Sequence, residues 1–255
     1  MNLEIAKNKF IKYTEKYDLS NDNIKRKQLH SLRVMQISLE IAEKLKLDSK
    51  EKELACLIGL LHDIGRFEQY TKYGTYNDIK SIDHANLSAN IIEKYFDNTN
   101  NEKLSNYKDI IIVAIRNHNK YKIEDGLTEK ELLFSKIIRD ADKIDILFEH
   151  TKFFWKNNEQ IIENCEISDE IFNNFKKFQT IKNMKNEQPV DNIIRALAFI
   201  FDINFQCSFE ILKNNNYIDK IIDRYNFKNE NTKEKIKEIR KISNLYINKK
   251  VIGEL

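Results

Sequence analysis

His62 and Asp63 stand side by side at the end of the apolar run LACLIGLL. Three more histidines punctuate the same stretch of chain: His30 in QLHSLRV, His84 in SIDHANLSA and His118 in IRNHNKY. An acidic segment, IRDADKIDIL, follows with Asp140, Asp142 and Asp145. Imidazole nitrogen and carboxylate oxygen together suit a divalent transition metal, one or two ions of Mn, Fe, Co, Ni or Zn, with Mg also open. Neighbouring residues on a helix point about 100 degrees apart. His62 and Asp63 would therefore approach an ion from different directions, and Asp63 is free to bridge to a second. Each residue alone has a plainer reading. His30 could be a helix residue facing water, and the aspartates could be a solvated acidic face.

Ligands scattered along a chain meet when several helices converge on one interior point, as in bundle-core metal sites. This chain is written for helices. One proline (Pro189) and five glycines leave few breakers. Apolar residues recur at three- and four-residue spacing, not in alternation. Over 28–46, Leu32, Met35, Ile37, Leu39, Ile41, Ala42 and Leu45 form a broad apolar face. Asp48 or Ser49 then suits an N-cap, with Lys50 to Leu61 as the next helix. Further helices are expected over 84–96, 107–118 and 129–149, giving an all-α fold. The stretch RFEQYTKYGTYNDIKSID reads as a loop. Its aromatics Phe67, Tyr70, Tyr73 and Tyr76 are either ordinary packing or a wall facing substrate.

From about residue 151 the text becomes aromatic-rich. The expected division is a helical metal-binding domain over 1–150 and a helical extension over 151–255. Segment 191–212 is apolar nearly all round, which predicts one helix buried against the core or across a subunit interface, a homodimer being the simplest such assembly. The last helix, NTKEKIKEIRKISNLYINKK, is amphipathic, and its lysines read as a solvated face.

Charge is nearly balanced, with 43 basic and 40 acidic residues and a net charge of +3. That argues against a chain built to grip nucleic acid. Cys56, Cys165 and Cys207 are widely spaced without a CxxC, which reads as reduced thiols rather than a disulfide framework. The N-terminal segment is charged throughout, and no run approaches the roughly 18 apolar residues of a membrane span. A cytoplasmic chain with no membrane partner is expected.

The order His30, His62-Asp63, Asp142 resembles the metal signature of the HD-domain superfamily of metal-dependent phosphohydrolases. LLHDIGRF is similar to the family's helix-borne HD followed by Ile-Gly, and DADKID to the segment holding its last aspartate. The resemblance covers about residues 20–150. It implies an HD-domain helical bundle in which His30, His62, Asp63 and Asp142 hold one ion, Asp142 being preferred over Asp140 because the family ligand lies in an Ala-Asp dipeptide. Two-metal members use further histidines from the intervening helices, which implies His84 and His118 with Asp63 as bridge. Where larger such members carry His-His, this chain has His118-Asn119. His84 and His118 could instead be donors to a phosphate beside a single ion. His150 lies outside the pattern and reads as structural.

The implied activity is hydrolysis of a small phosphate ester, with nucleotides among the candidates, by metal-activated water. Asp63 would orient the water and accept its proton, so no serine or cysteine nucleophile is required. Arg66, four residues past His62, and Lys143, beside Asp142, are the cations expected to meet phosphate; a surface salt bridge is the plain alternative for either. The same ligand order also resembles di-iron oxygenases built on the HD scaffold. A silent nucleotide-sensing module is the third class, and a full ligand set argues against it.

Overall fold

The computed structural model describes residues 3–97, 106–154, 156–182 and 187–254, and no strand occurs among them. The chain forms two units, Met1–Asp142 and Lys143–Leu255. The first contains α1 (Leu3–Thr14), α2 (Asp22–Lys44), α3 (Ser49–Leu61), α4 (Gly65–Tyr73), α5 (His84–Asp97) and α6 (Lys108–Asn117). The boundary between units falls inside α7 (Glu129–Lys152).

Local sequence explains where these helices begin. Asn21 caps α2 by accepting from the Asn23 amide, and Asp48 and Glu51 close a reciprocal capping box on α3. Such caps satisfy amides that have no partner inside the helix, and each contributes about 1 kcal/mol. The long α2 packs along α3, while α5 packs on α4 and α6. Phe10, Ile24, Met35, Cys56, Leu60 and Phe67 form a buried cluster beneath α1 to α4. Full burial of each large apolar side chain is worth roughly 1.5–3 kcal/mol before ordering costs. Burial pushes the Cys56 thiol up to about 11, which keeps it protonated and inert.

The stretch after the His-Asp pair differs from the loop its composition suggests. Residues Gly65–Tyr73 are helical and end at Gly74, whose φ of 66° is the left-handed conformation that suits glycine. Phe67 is fully buried and meets Phe10 edge to face at 6.0 Å. It is core. Tyr70 instead pairs with Tyr76 of the following loop, their ring centres 4.7 Å apart.

The second unit contains α8 (Glu159–Glu163), α9 (Asp169–Phe175), α10 (Pro189–Leu197), α11 (Gln206–Asn215), α12 (Tyr217–Ile222) and α13 (Glu230–Ile252). The single helix expected over 191–212 is broken by a 3-10 turn, Ala198–Asp202, and an extended Ile203. Polar side chains cause the break: Lys143 draws Asp202 into an ion pair at 2.8 Å, and Asn204 donates to the Asp202 carbonyl. His150 is buried and stacks on Phe154 with ring centres 4.3 Å apart. Among the described residues no helix is long and apolar enough to cross a membrane.

Candidate metal centre

His30 lies in the first half of α2, and His62 is the C-cap residue of α3. Their approach depends on Gly59. A Cβ there would sit 2.7 Å from Ser38 Oγ and 3.0 Å from the Val34 carbonyl and Met35 Cα, so only glycine lets α2 and α3 come this close. Asp63 follows in the turn between α3 and α4, where Gly65 presses against Ser88 of α5 in the same way. His84 opens α5, and His118 is the C-cap residue of α6.

These five side chains and Asp142 of α7 form two clusters that share Asp63. In the first, His30 Nε2 is 3.3 Å from His62 Nε2, 3.5 Å from Asp63 Oδ2 and 3.2 Å from Asp142 Oδ1. His62 Nε2 is 3.5 Å from each of the same two carboxylate oxygens. In the second, His84 Nε2 is 3.0 Å from His118 Nε2, and the two lie 3.4 and 3.6 Å from Asp63 Oδ1. Ligands bonded to one ion at 2.0–2.2 Å, at tetrahedral to octahedral angles, lie about 2.8–3.6 Å apart. Every separation here falls in that range.

Proton positions sharpen the fit. His62 Nδ1 donates to the Gly59 carbonyl at 2.8 Å, and His118 Nδ1 to the Ile115 carbonyl at 2.6 Å. A backbone carbonyl can only accept, so in the neutral ring each Nε2 carries a lone pair and no proton. His84 Nδ1 faces Asp78 Oδ2 at 2.5 Å and is fixed likewise. Lone pairs therefore converge on one point with Asp63 Oδ1, which is buried and has no hydrogen bond. A buried carboxylate oxygen beside two imidazole lone pairs could hold a cation. The donor set fits divalent ions at both positions.

A family model for the HD domain matches residues 29–147. Residues 29–147 form an HD domain. Neither the curated proteins nor the solved structures gave a match.

Within this HD domain the charged surroundings are unequal. Burial alone would push Asp63 up, but the Lys27 ammonium and the imidazole of His62 hold its carboxyl well below the usual carboxylate range. Burial likewise opposes ionisation of Asp142, and the adjacent imidazoles of His30 and His62 outweigh it. Burial, then the nearby Arg66 charge, lowers His84 to about 4 despite its contact with Asp78. Burial lowers His62 as well, against the pull of Asp63 and Asp142.

These shifts set a pH dependence for the metal-free protein. The folded pKa of His84 lies below its ordinary value of 6.5, so between 6.5 and about 4 the unfolded chain binds more protons than the folded one. The stability from a neutral His84 is complete above 6.5 and is lost as pH falls through that window. The slope is at most about 1.4 kcal/mol per pH unit for each such histidine. Thermal melts in chelator should show the midpoint falling from pH 7 to pH 5. An unchanged or rising midpoint would contradict neutral, buried imidazoles.

Arg66 is on α4, one helix beyond His62. Its Nη1 donates to Gln69 Oε1, the Tyr76 carbonyl and Asp78 Oδ1 at 2.6–3.0 Å, and its Nε lies 3.5 Å from Asp63 Oδ1. Lys143 is paired with Asp202 in the second unit. Asp140 is fully buried. Three residues that sequence reasoning passed over support the centre. Lys27, one turn before His30 on the same face of α2, places Nζ 2.7 Å from Asp63 Oδ2; the three-residue spacing was a usable signal. Arg139 donates to the carbonyls of Asn117 and Lys120 at 2.7 and 2.6 Å, closing the end of the helix that carries His118. Asp78 sits in a loop, and nothing in its spacing marks it.

Proposed function

We propose that this HD-domain chain is a metal-dependent phosphohydrolase acting on a small phosphate ester, with nucleotides as the first class to examine. The supporting observation is Asp63 itself, whose two oxygens face separate ligand clusters while Lys27 and Arg66 flank the same carboxylate. Divalent ions held in the two clusters would lower the pKa of water and clamp the attacking and leaving oxygens of the ester.

The chain's own residues account for the rest. Three carboxylates (Asp63, Asp78 and Asp142) face two cations (Lys27 and Arg66), and the imidazoles count as neutral. Two divalent ions would turn that single negative charge into about three positive ones, an excess that favours an anionic ligand in a site shielded from water. Arg66 is held by three acceptors through Nη1, so its guanidinium is oriented before any phosphate arrives. Lys27 adds a second donor on the opposite oxygen of Asp63, and in this reading it takes the part expected of Lys143. Asp63 orients the attacking water, whose proton ends on the departing alcohol, and Asp142 with the histidines keeps the ligand sphere in place. Cleavage breaks the P–O ester bond, with water adding to phosphorus and the alcohol leaving.

Convergence of His84 and His118 on the second cluster also supports the oxygenase reading, since that reading needs two ions. A screen of phosphate esters with Mn, Co, Fe, Ni and Mg tests the proposal. Chelator-sensitive phosphate release is expected. Absence of release with every ion, together with oxygen uptake by the iron-loaded protein, would replace hydrolysis with oxygenation.

A further inference from the structure

Asp78 has side-chain bonds to four residues, and all four lie at the centre or beside it. Its Oδ2 accepts from His84 Nδ1 at 2.5 Å and from Asn119 Nδ2, next to His118, at 3.4 Å. Its Oδ1 accepts from Arg66 Nη1 at 3.0 Å and from Gln69 Nε2 at 2.8 Å. The residue comes from a short 3-10 turn, Asp78–Lys80, and its side chain is 27% exposed. Burial is no reason to place a carboxylate there, and no apolar packing is served by it.

The loop is built to hold this carboxylate still. Asn77 caps the turn by accepting from the amides of Ile79 and Lys80. Gln69 is fully buried and reaches Ser81 Oγ and the Ile82 carbonyl as well as Asp78. Tyr76 donates to the Asn23 carbonyl of α2 at 3.0 Å, tying the loop to the helix that carries His30 and Lys27. Its ring lies within 5.7 Å of both Lys27 Nζ and the Arg66 guanidinium carbon.

We propose that Asp78 is a positioning residue that couples the second cation position to anion docking: one carboxylate fixes the His84 imidazole with Nε2 toward Asp63 and His118, and orients Arg66 through its other oxygen. This rests on the two-ion hydrolase reading above. A carboxylate behind a ligating histidine sets its tautomer and ring orientation, and loss of such a partner typically weakens metal binding about 10–100-fold. Here the same loss would also release Arg66 from one of its three anchors.

The test uses the full chain with Asp78→Ala and Asp78→Asn. Co(II) titration followed by absorption, with elemental analysis, reads the two ions separately; inorganic phosphate reads the anion site of the loaded protein. Asp78→Ala should weaken the second ion about 10–100-fold while leaving the first ion at wild-type affinity. It should also weaken phosphate binding. Asp78→Asn keeps an oxygen for His84 Nδ1 but loses the charge facing Arg66, so its phosphate affinity should fall more than its metal affinity. Wild-type values for both readouts in Asp78→Ala would overturn the assignment. If that variant does not fold, wild-type values in Asp78→Asn overturn it instead. Equal weakening of both ions would also count against it, because a general loosening of the fold produces that pattern. A wild-type chain that binds only one ion removes the two-ion reading, and this proposal falls with it. Two ions in the wild type with an unaffected variant sink only the role of Asp78.

Discussion

Asp63→Asn is expected to abolish metal-dependent phosphate release, by about a thousandfold or more, equivalent to roughly 4 kcal/mol of transition-state stabilisation. The expectation follows from geometry. Asp63 Oδ2 faces His30 and His62, Oδ1 faces His84 and His118, and one substitution alters both ligand sets. Asparagine preserves volume but offers one neutral oxygen where two charged ones stood, so the protein-bound metal should fall toward zero together with activity. Asparagine is preferable to alanine here. Asp63 is 2% exposed and paired with Lys27, and alanine would leave a buried ammonium facing a cavity. Breaking such a pair from one side costs roughly 3–5 kcal/mol, enough to confuse loss of function with loss of fold. A folded Asp63→Asn protein that keeps two ions and wild-type kcat would remove Asp63 from the centre.

The residues that could do chemistry were more legible than the scaffold between them. Histidine is rare in this Asn- and Lys-rich chain, and His30, His62, His84 and His118 lie on helices or at their ends, with Asp63 beside one of them and Asp142 in an Ala-Asp dipeptide. The supporting residues are of commoner types and lie in less regular segments. Asp78 is one aspartate among many, placed by a loop whose path depends on Gln69 and on the Tyr76 bond to α2. No local pattern encodes that path. Composition also misread the segment after Asp63. GRFEQYTKY is short and mostly polar, yet it is helical because Gly65 lets it dock against Ser88 and Phe67 fills the core beneath. The opposite error occurred at 191–212. There continuous apolarity suggested one helix, and Asp202 and Asn204 broke it through side-chain bonds that hydropathy does not register.

His84→Ala and His118→Ala should each lower the metal-to-protein ratio by about one while the other ion stays. The remaining ion has His30, His62, Asp63 Oδ2 and Asp142 around it, and Asp63 meets the substituted rings through its other oxygen. Among the described residues the second position has only His84, His118 and one oxygen of Asp63, so losing a single imidazole leaves two protein donors. Hydrolysis should fall by several orders of magnitude in both variants, because the clamp on the ester needs both positions filled. The two substitutions should differ in one respect. His118 is fixed by the backbone carbonyl of Ile115, so its removal leaves Asp78, Arg66 and His84 in place. Removing His84 instead strips Asp78 of its shortest bond, so phosphate affinity should suffer more in His84→Ala than in His118→Ala. If both histidines were donors to substrate beside a single ion, metal content would be unchanged and KM would rise with kcat retained. Elemental analysis of the wild type and both variants under identical loading separates these outcomes. One ion per chain in all three would end the two-ion reading and with it the support for an oxygenase, and His84 and His118 would then meet a phosphate only as protonated donors.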